Sequence, residues 1–279
     1  MRFEKWQALG NDYLIFEADQ LPWELTAARV RRICDPHFGL GTDGVLLLSR
    51  SDDPAFVAEL RIFNPDGSEA ELSGNGAREA ILYLRRHGWT EADTFSVLTA
   101  AGAVTPTIIS ERTCSVEMGR AATASKDFPS GRADGKGALT AAGREWAFQH
   151  ISIGNPQCAI DVGDELEQLD LAAIGPGIEG HELFPNRTNV SFLAVEGSRV
   201  RARIFERGVG ETLSSGTGAS GAAITAFLRG ASSPITVELD GGELEVEISD
   251  DLDVRLSGWA EPVCSGELSP ELLQALADL

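Results

Sequence analysis

The sequence predicts an α+β fold in two pseudo-symmetric halves, and three observations lead there. A 22-residue segment recurs 142 positions further on, short β-type runs fill most of the chain, and each copy opens a helix directly after a Ser-Gly-x-Gly turn. Residues 61–82 read RIFNPDGSEAELSGNGAREAIL and residues 203–224 read RIFERGVGETLSSGTGASGAAI. Nine positions coincide without a gap: Arg61/Arg203, Ile62/Ile204, Phe63/Phe205, Glu69/Glu211, Ser73/Ser215, Gly74/Gly216, Gly76/Gly218, Ala77/Ala219 and Ala80/Ala222. Weaker echoes keep the same order, Gly10-Asn11 with Gly154-Asn155 and Phe38-x3-Thr42-Asp43 with Phe184-x3-Thr188-Asn189. A unit of about 140 residues is too long for a solenoid. Two homologous domains facing each other are expected instead, over residues 1–119 with 263–279 and over residues 120–262.

In order along the chain, β-type runs are expected at Tyr13–Phe16, Val45–Leu48, Phe95–Leu98, Val104–Ile109 and Cys114–Met118. In the second half they are Trp146–Ile153, Cys158–Val162, Asn189–Val195, Val200–Phe205, Ile235–Leu239, Glu243–Ile248 and Asp253–Ser257. After each Ser-Gly-x-Gly the period turns helical, with Ala77, Ala80, Ile81 and Leu84 in one copy and Ala219, Ala222, Ala223 and Phe227 in the other. The second helix is small and apolar almost all round, which predicts burial inside a curved sheet. Arg120–Gly143, rich in Ala, Gly and Ser, reads as a loose interdomain region. Ser269-Pro270-Glu271 gives an N-cap, a first-turn proline and an acid, so a short C-terminal helix follows.

At 279 residues with 43% hydrophobic and 24% charged side chains, the chain has material for a sizeable core. Acids outnumber bases 43 to 23, for a net charge of −20. Such a surface repels phosphate backbones and anionic headgroups, which argues against nucleic acid and membrane partners. No apolar run reaches the length of a membrane span, and the N-terminus does not read as a secretory signal. Cys34, Cys114, Cys158 and Cys264 are too scattered for a disulfide framework or a CxxC metal site, so a cytoplasmic location and no metal are expected. The acids between Ala231 and Val254 read as a solvated face.

Familiar motifs fail on context. Gly39-x-Gly41-x-x-Gly44 has the spacing of a dinucleotide fingerprint, but a helix-like stretch precedes it and a β-like run follows, the reverse of what that motif needs. His37 lacks the second ligand pair of a zinc site, and His87, His150 and His181 are isolated. The duplicated turn remains: Ser73-Gly74-Asn75-Gly76 and Ser215-Gly216-Thr217-Gly218. Glycines admit close approach to a ligand, and a helix N-terminus favours an anion. Two such turns related by a repeat would aim at one central cleft and hold a small carboxylate. Asn11, Asn64, Asn155, Asn189 and the pair Glu206-Arg207 stand near the corresponding loops. The last two suit an ammonium and a carboxylate respectively.

With these residues in place, the chain resembles the diaminopimelate epimerases, cofactor-independent amino-acid isomerases of lysine and cell-wall biosynthesis. The resemblance runs nearly end to end: Gly10-Asn11-Asp12, Gly39-x-Gly41-x-Asp43, Asn64-x-Asp66-Gly67-Ser68-Glu69, Gly74-Asn75-Gly76-x-Arg78, Gly154-Asn155-Pro156, Phe184 to Val190, and Glu206 to Thr212. It implies two domains, each a curved, mostly antiparallel sheet around a central helix. It also implies substrate contacts at Asn11, Asn64, Gly74, Asn75, Asn155, Asn189, Glu206, Arg207, Gly216 and Thr217. The partner it implies is a small-molecule amino acid, with no cofactor and with homodimerisation left open.

The departures are specific. The family places a cysteine before each Gly-x-Gly turn, and here those catalytic positions are Ser73 and Ser215. A histidine usual after Asn-Pro is Gln157, and a glutamine found near Asp43 in some members is Gly44. In the family one thiolate removes the α-proton and the opposite thiol returns one to the other face. A cysteine starts near pKa ~8.5 and an alcohol far higher; even four units amount to about 5.4 kcal/mol, roughly four orders of magnitude in rate. Three functions therefore follow from the same site. The first is an epimerase or racemase relative taking LL- to meso-diaminopimelate. The second is an isomerase or dehydratase using a carboxylate, with Glu79, Glu206 and Glu211 as candidates, on a fold the phenazine-biosynthesis isomerases also resemble. The third is a non-catalytic amino-acid-binding protein.

Overall fold

The computed structural model describes residues 1–279. From the N-terminus, β1 (Arg2–Ala8), β2 (Asn11–Glu17), α1 (Ala27–Cys34), β3 (Val45–Ser49), β4 (Ala58–Phe63), β5 (Glu69–Ala70) and α2 (Gly74–Arg86) are followed by β6 (Val97–Thr99), β7 (Gly102–Val104), β8 (Pro106–Ser110) and β9 (Thr113–Arg120). Next come β10 (Lys136–Ala141), β11 (Arg144–Ser152), β12 (Pro156–Asp161), α3 (Leu171–Glu179), β13 (Asn189–Glu196), β14 (Arg199–Glu206), β15 (Gly210–Thr212) and α4 (Gly216–Leu228). The chain closes with β16 (Ile235–Leu239), β17 (Gly242–Ile248), β18 (Asp253–Trp259), β19 (Glu261–Glu267) and α5 (Pro270–Ala277). Contacts divide it into two units, Met1–Val116 with Gly258–Leu279, and Glu117–Ser257. None of the helices is long and apolar enough to cross a membrane.

The first unit orders its sheet β19-β1-β2-β3-β4-β6-β7, with β5 on β4. Pairing is antiparallel except for β2–β3 and β4–β6. The second unit runs β10-β11-β12-β13-β14-β16-β17-β18, with β15 on β14. There too the pairing is antiparallel except at two places, β12–β13 and β14–β16. The succession antiparallel, parallel, antiparallel, helix, parallel is therefore the same in both units, as the repeat predicts.

Each sheet wraps one helix. In the first unit α2 packs on β1 to β4 and is buried from Asn75 to Leu84. In the second, α4 touches β11 to β14, β16 and β17, and its small side chains are buried with few exceptions. Gly, Ala, Ser and Thr let strands approach α4 from nearly every direction, which an ordinary amphipathic helix would not allow. A second apolar layer covers the other sheet face. In the first unit Leu14, Phe16, Val45 and Leu47 meet Val30 and Ile33 of α1 and Leu276 of α5. In the second, Phe148, Ile160, Val190 and Phe192 meet Leu171 and Ile178 of α3. Covering both faces explains why β2 and β3 read as continuous apolar runs.

Two expectations need correction. Arg120–Gly143 is not loose: Lys136–Ala141 forms β10 on β11, Phe128 is buried, and Ala122 bridges to Ser152. The alternation of buried Leu139 and Ala141 with exposed neighbours drives that strand. The run Val104–Ile109 is two strands, because Pro106 lacks the N–H that would continue the ladder and begins β8.

Candidate active site

Ser73 is the N-cap of α2, and its Oγ accepts from Gly76 N at 3.1 Å. Ser215 caps α4 in the same way, accepting from Gly218 N at 3.2 Å. A serine before a glycine-led turn is a good N-cap, so local chemistry alone fixes both hydroxyls at the positive end of a buried helix.

The surroundings repeat as well. In the first unit Asn75 Nδ2 donates to Asn11 Oδ1 at 3.2 Å, and Asn11 Nδ2 donates to Asp43 Oδ2 at 2.9 Å. Buried Arg78 donates to Asn75 Oδ1 at 2.5 Å and locks that amide. In the second unit Asn155 Nδ2 donates to Thr217 Oγ1 at 3.2 Å, while Gln157 Nε2 donates to Asn155 Oδ1 at 2.7 Å. Positions 11 and 75 are bonded to each other, as are positions 155 and 217, with the donor on the helix in the first unit and on the strand-side Asn in the second. Asn189 accepts from Arg207 N at 2.8 Å and donates to Pro156 O at 3.2 Å, tying the loop after β14 to the start of β12.

The groups touching the two serines differ. Ser73 Oγ also accepts from Tyr13 OH at 3.3 Å. Tyr13 reaches it across Gly44, where an added Cβ would lie 2.6 Å from the Tyr13 ring. Ser215 Oγ instead donates to Glu206 Oε2 at 3.2 Å, and Thr212 Oγ1 donates to Glu206 Oε1 at 2.9 Å. Burial pushes the Glu206 carboxyl above the usual range, and the two hydroxyl donors pull partly against that.

The other expected residues are placed as follows. Gly74 and Gly216 are the first residues of α2 and α4. Asn64 follows β4 in a loop closed on itself, Nδ2 to Ser68 Oγ at 3.0 Å, and is not bonded to Ser73. The exposed Arg207 guanidinium donates to Asn186 O at 3.0 Å. Of the three candidate carboxylates only Glu206 touches a serine of a turn. Glu211 is held by Arg203 at 2.6 Å, repeating the Arg61–Glu69 pair at 2.8 Å. Glu79 is fully buried beside Arg78, its oxygens without a well-formed hydrogen bond, and burial drives its carboxyl well above the ordinary value. The histidines are engaged elsewhere: His150 Nε2 bonds Ser125 Oγ at 2.9 Å, His87 lies 3.0 Å from Glu4, and His181 Nδ1 accepts from Leu183 N.

Tyr13 was not legible as a site residue, whereas Gln157 was legible only as the residue in place of the family's histidine. Both follow an Asn of the repeat by two, so the signal was present in register and hidden by unlike side chains.

The diaminopimelate epimerase family model matches residues 3–124 and 150–258. The chain is 40% identical to diaminopimelate epimerase 2 of Nostoc sp. over 98% of its own length and 97% of the relative's. It is 39% identical to the diaminopimelate epimerase of Pelotomaculum thermopropionicum, over 96% and 98% respectively. Among solved structures it is similar in fold to a Bacillus anthracis phenazine biosynthesis protein of the PhzF family, with TM-score 0.69, 19% identity, and 96% and 99% of the two chains covered.

Proposed function

From the premise that the chain belongs to the diaminopimelate epimerase family, we propose that it moves the α-proton of a free diamino-dicarboxylic acid from one face of Cα to the other, interconverting LL- and meso-diaminopimelate without a cofactor. One observation carries the proposal: the same serine-capped, glycine-led helix start, with the same Asn contact beside it, occurs in both units. Epimerisation needs one proton-transfer group on each side of a planar carbanion, and the repeat supplies a matched pair of positions for them. Helix N-termini and amide donors favour the negative charge that grows on the substrate carboxylate as the proton leaves. Asn11, Asn64, Gly74, Asn75, Asn155, Asn189, Glu206, Arg207, Gly216 and Thr217 are the contacts proposed for the substrate. Reaction in the cytoplasm belongs to the same proposal.

Incubation with each diaminopimelate stereoisomer in D2O tests it. Deuterium at Cα with inversion is the expected result. Calorimetric binding with neither exchange nor inversion would mean a silent amino-acid-binding protein, and no binding of diaminopimelate would mean another ligand.

A further inference from the structure

A side-chain amide offers N–H at one end and C=O at the other, so its orientation decides whether a carboxylate beside it is attracted or repelled. Next to the start of α2 that orientation is dictated from both ends. The Arg78 guanidinium, which can only donate, gives an Nη2 hydrogen to Asn75 Oδ1 at 2.5 Å. Asn75 Nδ2 is thereby turned to Asn11 Oδ1, and Asn11 Nδ2 to Asp43 Oδ2, a carboxylate that only accepts when ionised. Donation runs one way, from Arg78 through Asn75 and Asn11 to Asp43, and all of these residues belong to the first unit. Flipping Asn75 would set donor against donor at Arg78, and flipping Asn11 would set acceptor against acceptor at Asp43. The amide oxygens of the second unit are spent in the same manner: Asn155 Oδ1 accepts from Gln157 Nε2 at 2.7 Å, and Asn189 Oδ1 from Arg207 N at 2.8 Å.

We propose that Arg78 is a positioning residue that orients the Asn75–Asn11 pair as a donor face for a substrate carboxylate, with Asp43 as the acceptor that closes the chain. This rests on the proposed function, in which Asn11 and Asn75 contact the substrate. Arg78 is fully buried one turn inside α2 and acts through Asn75. No ion pair competes for its charge: Glu79, the adjacent carboxyl, is driven toward its neutral form by burial and makes no well-formed hydrogen bond. Packing alone has no use for a buried cation, which is costly to desolvate. Holding two amides with their oxygens inward gives it one, because a carboxylate then meets N–H groups and no competing carbonyl.

The test uses the full chain, with Tm recorded for every variant. In the ligand-free protein, NMR of side-chain amides reads the orientation directly. The Asn11 and Asn75 signals, assigned with Asn11→Ala and Asn75→Ala, should be protected from solvent exchange in the wild type and lose that protection in Arg78→Met. Calorimetric affinity for diaminopimelate should fall by about 10- to 100-fold in Arg78→Met and recover in part in Arg78→Lys, which keeps a donor. Asp43 separates direction from charge. Asp43→Asn and Asp43→Ala remove the same negative charge, which by Coulomb attraction alone would tighten an anion equally in both. Only Asn keeps an oxygen for Asn11, so Asp43→Ala should bind diaminopimelate several-fold more weakly than Asp43→Asn, a difference that a purely structural role of Arg78 would not produce. Asp43 is exposed, so this comparison stands even where Arg78→Met does not fold. Equal affinities in the two Asp43 variants, or Asn11 and Asn75 amides unchanged in Arg78→Met, overturn this inference and leave the proposed function standing. A wild type that binds no diaminopimelate overturns both.

Discussion

At the scale of single residues, the two serines define the sharpest prediction. The helix starts, the locked amides and the Asn contacts surround both serines, with Gln157 in place of the family's histidine as the departure that remains. Ser73→Cys combined with Ser215→Cys should therefore raise epimerisation by orders of magnitude, because a thiol is far more acidic than an alcohol and a helix N-terminus lowers it further. Either single change should do much less, since one group can remove a proton but cannot return one to the opposite face. A double variant that binds diaminopimelate yet is no faster than wild type would refute this.

Glu79 carries the second residue-scale prediction. It is buried beside Arg78, with Asp12 and Asp43 adding repulsion to the desolvation that raises its carboxyl. Such a group holds its proton more tightly folded than unfolded, so its contribution is complete below the ordinary value of 4.5 and drains away as pH rises toward the folded value. Glu79→Gln, which cannot ionise, should flatten the fall of Tm on the alkaline side; parallel Tm curves between about pH 5 and 9 would refute it. The serines and asparagines were legible in the sequence because their spacing recurs. Tyr13 was not, because its reach to Ser73 depends on Gly44, a residue distant in sequence that makes room for the ring.

At the scale of elements, pattern found what pattern can find. Most of the apolar strands and the two central helices were expected, whereas β1, β4, β5, β10, β15, β19 and α3 were not. β1 opens with mixed charges and becomes a strand through partners at the far end of the chain, Arg2 opposite Glu267 and Lys5 opposite Cys264. α3 contains Gly175-Pro176-Gly177, a poor helical sequence. Asp170 caps it, and Gly175 brings its backbone against the Phe205 ring, where an added Cβ would lie 2.5 Å away, so packing overrides propensity. Equivalent positions on the two central helices should then differ in tolerance. A Cβ at Gly218 would meet Ile204 Cγ2 at 2.9 Å, whereas at Gly76 the nearest atom is Leu46 Cδ2 at 3.1 Å, the end of a side chain. Alanine in a helix gains up to about 1 kcal/mol over glycine. Gly76→Ala should therefore leave Tm near wild type, and Gly218→Ala should cost about 1–3 kcal/mol through overpacking. Equal losses at both sites, measured by thermal unfolding, would show that the clash does not decide.

At the scale of the whole molecule, the excess of acid dominates. The net charge is −20, and the acid-rich stretch near the C-terminus lines the exposed face of the β16–β17 hairpin, with Glu238 directly opposite Glu243. Like charges across an antiparallel pair repel, and here a base from another strand answers them. Arg199 bonds Glu243 at 2.5 Å and lies 3.7 Å from Glu238, Arg201 pairs with Asp240, and Arg255 reaches Glu247 at 3.6 Å. Each exposed pair contributes little and weakens with salt, but the unpaired excess of carboxylates repels itself throughout, and salt screens that as well. Summed over the surface, the repulsion is the larger effect, because far more acids than bases must be accommodated. Tm should therefore rise as KCl is raised from about 10 mM to about 0.5 M, as the Debye length shrinks from roughly 30 Å to a few ångströms. Arg199→Gln should lower Tm more at the low-salt end than at the high, since it leaves Glu238 and Glu243 facing each other unscreened. A Tm that falls with salt, or an Arg199→Gln deficit independent of salt, would place the balance with the individual ion pairs instead.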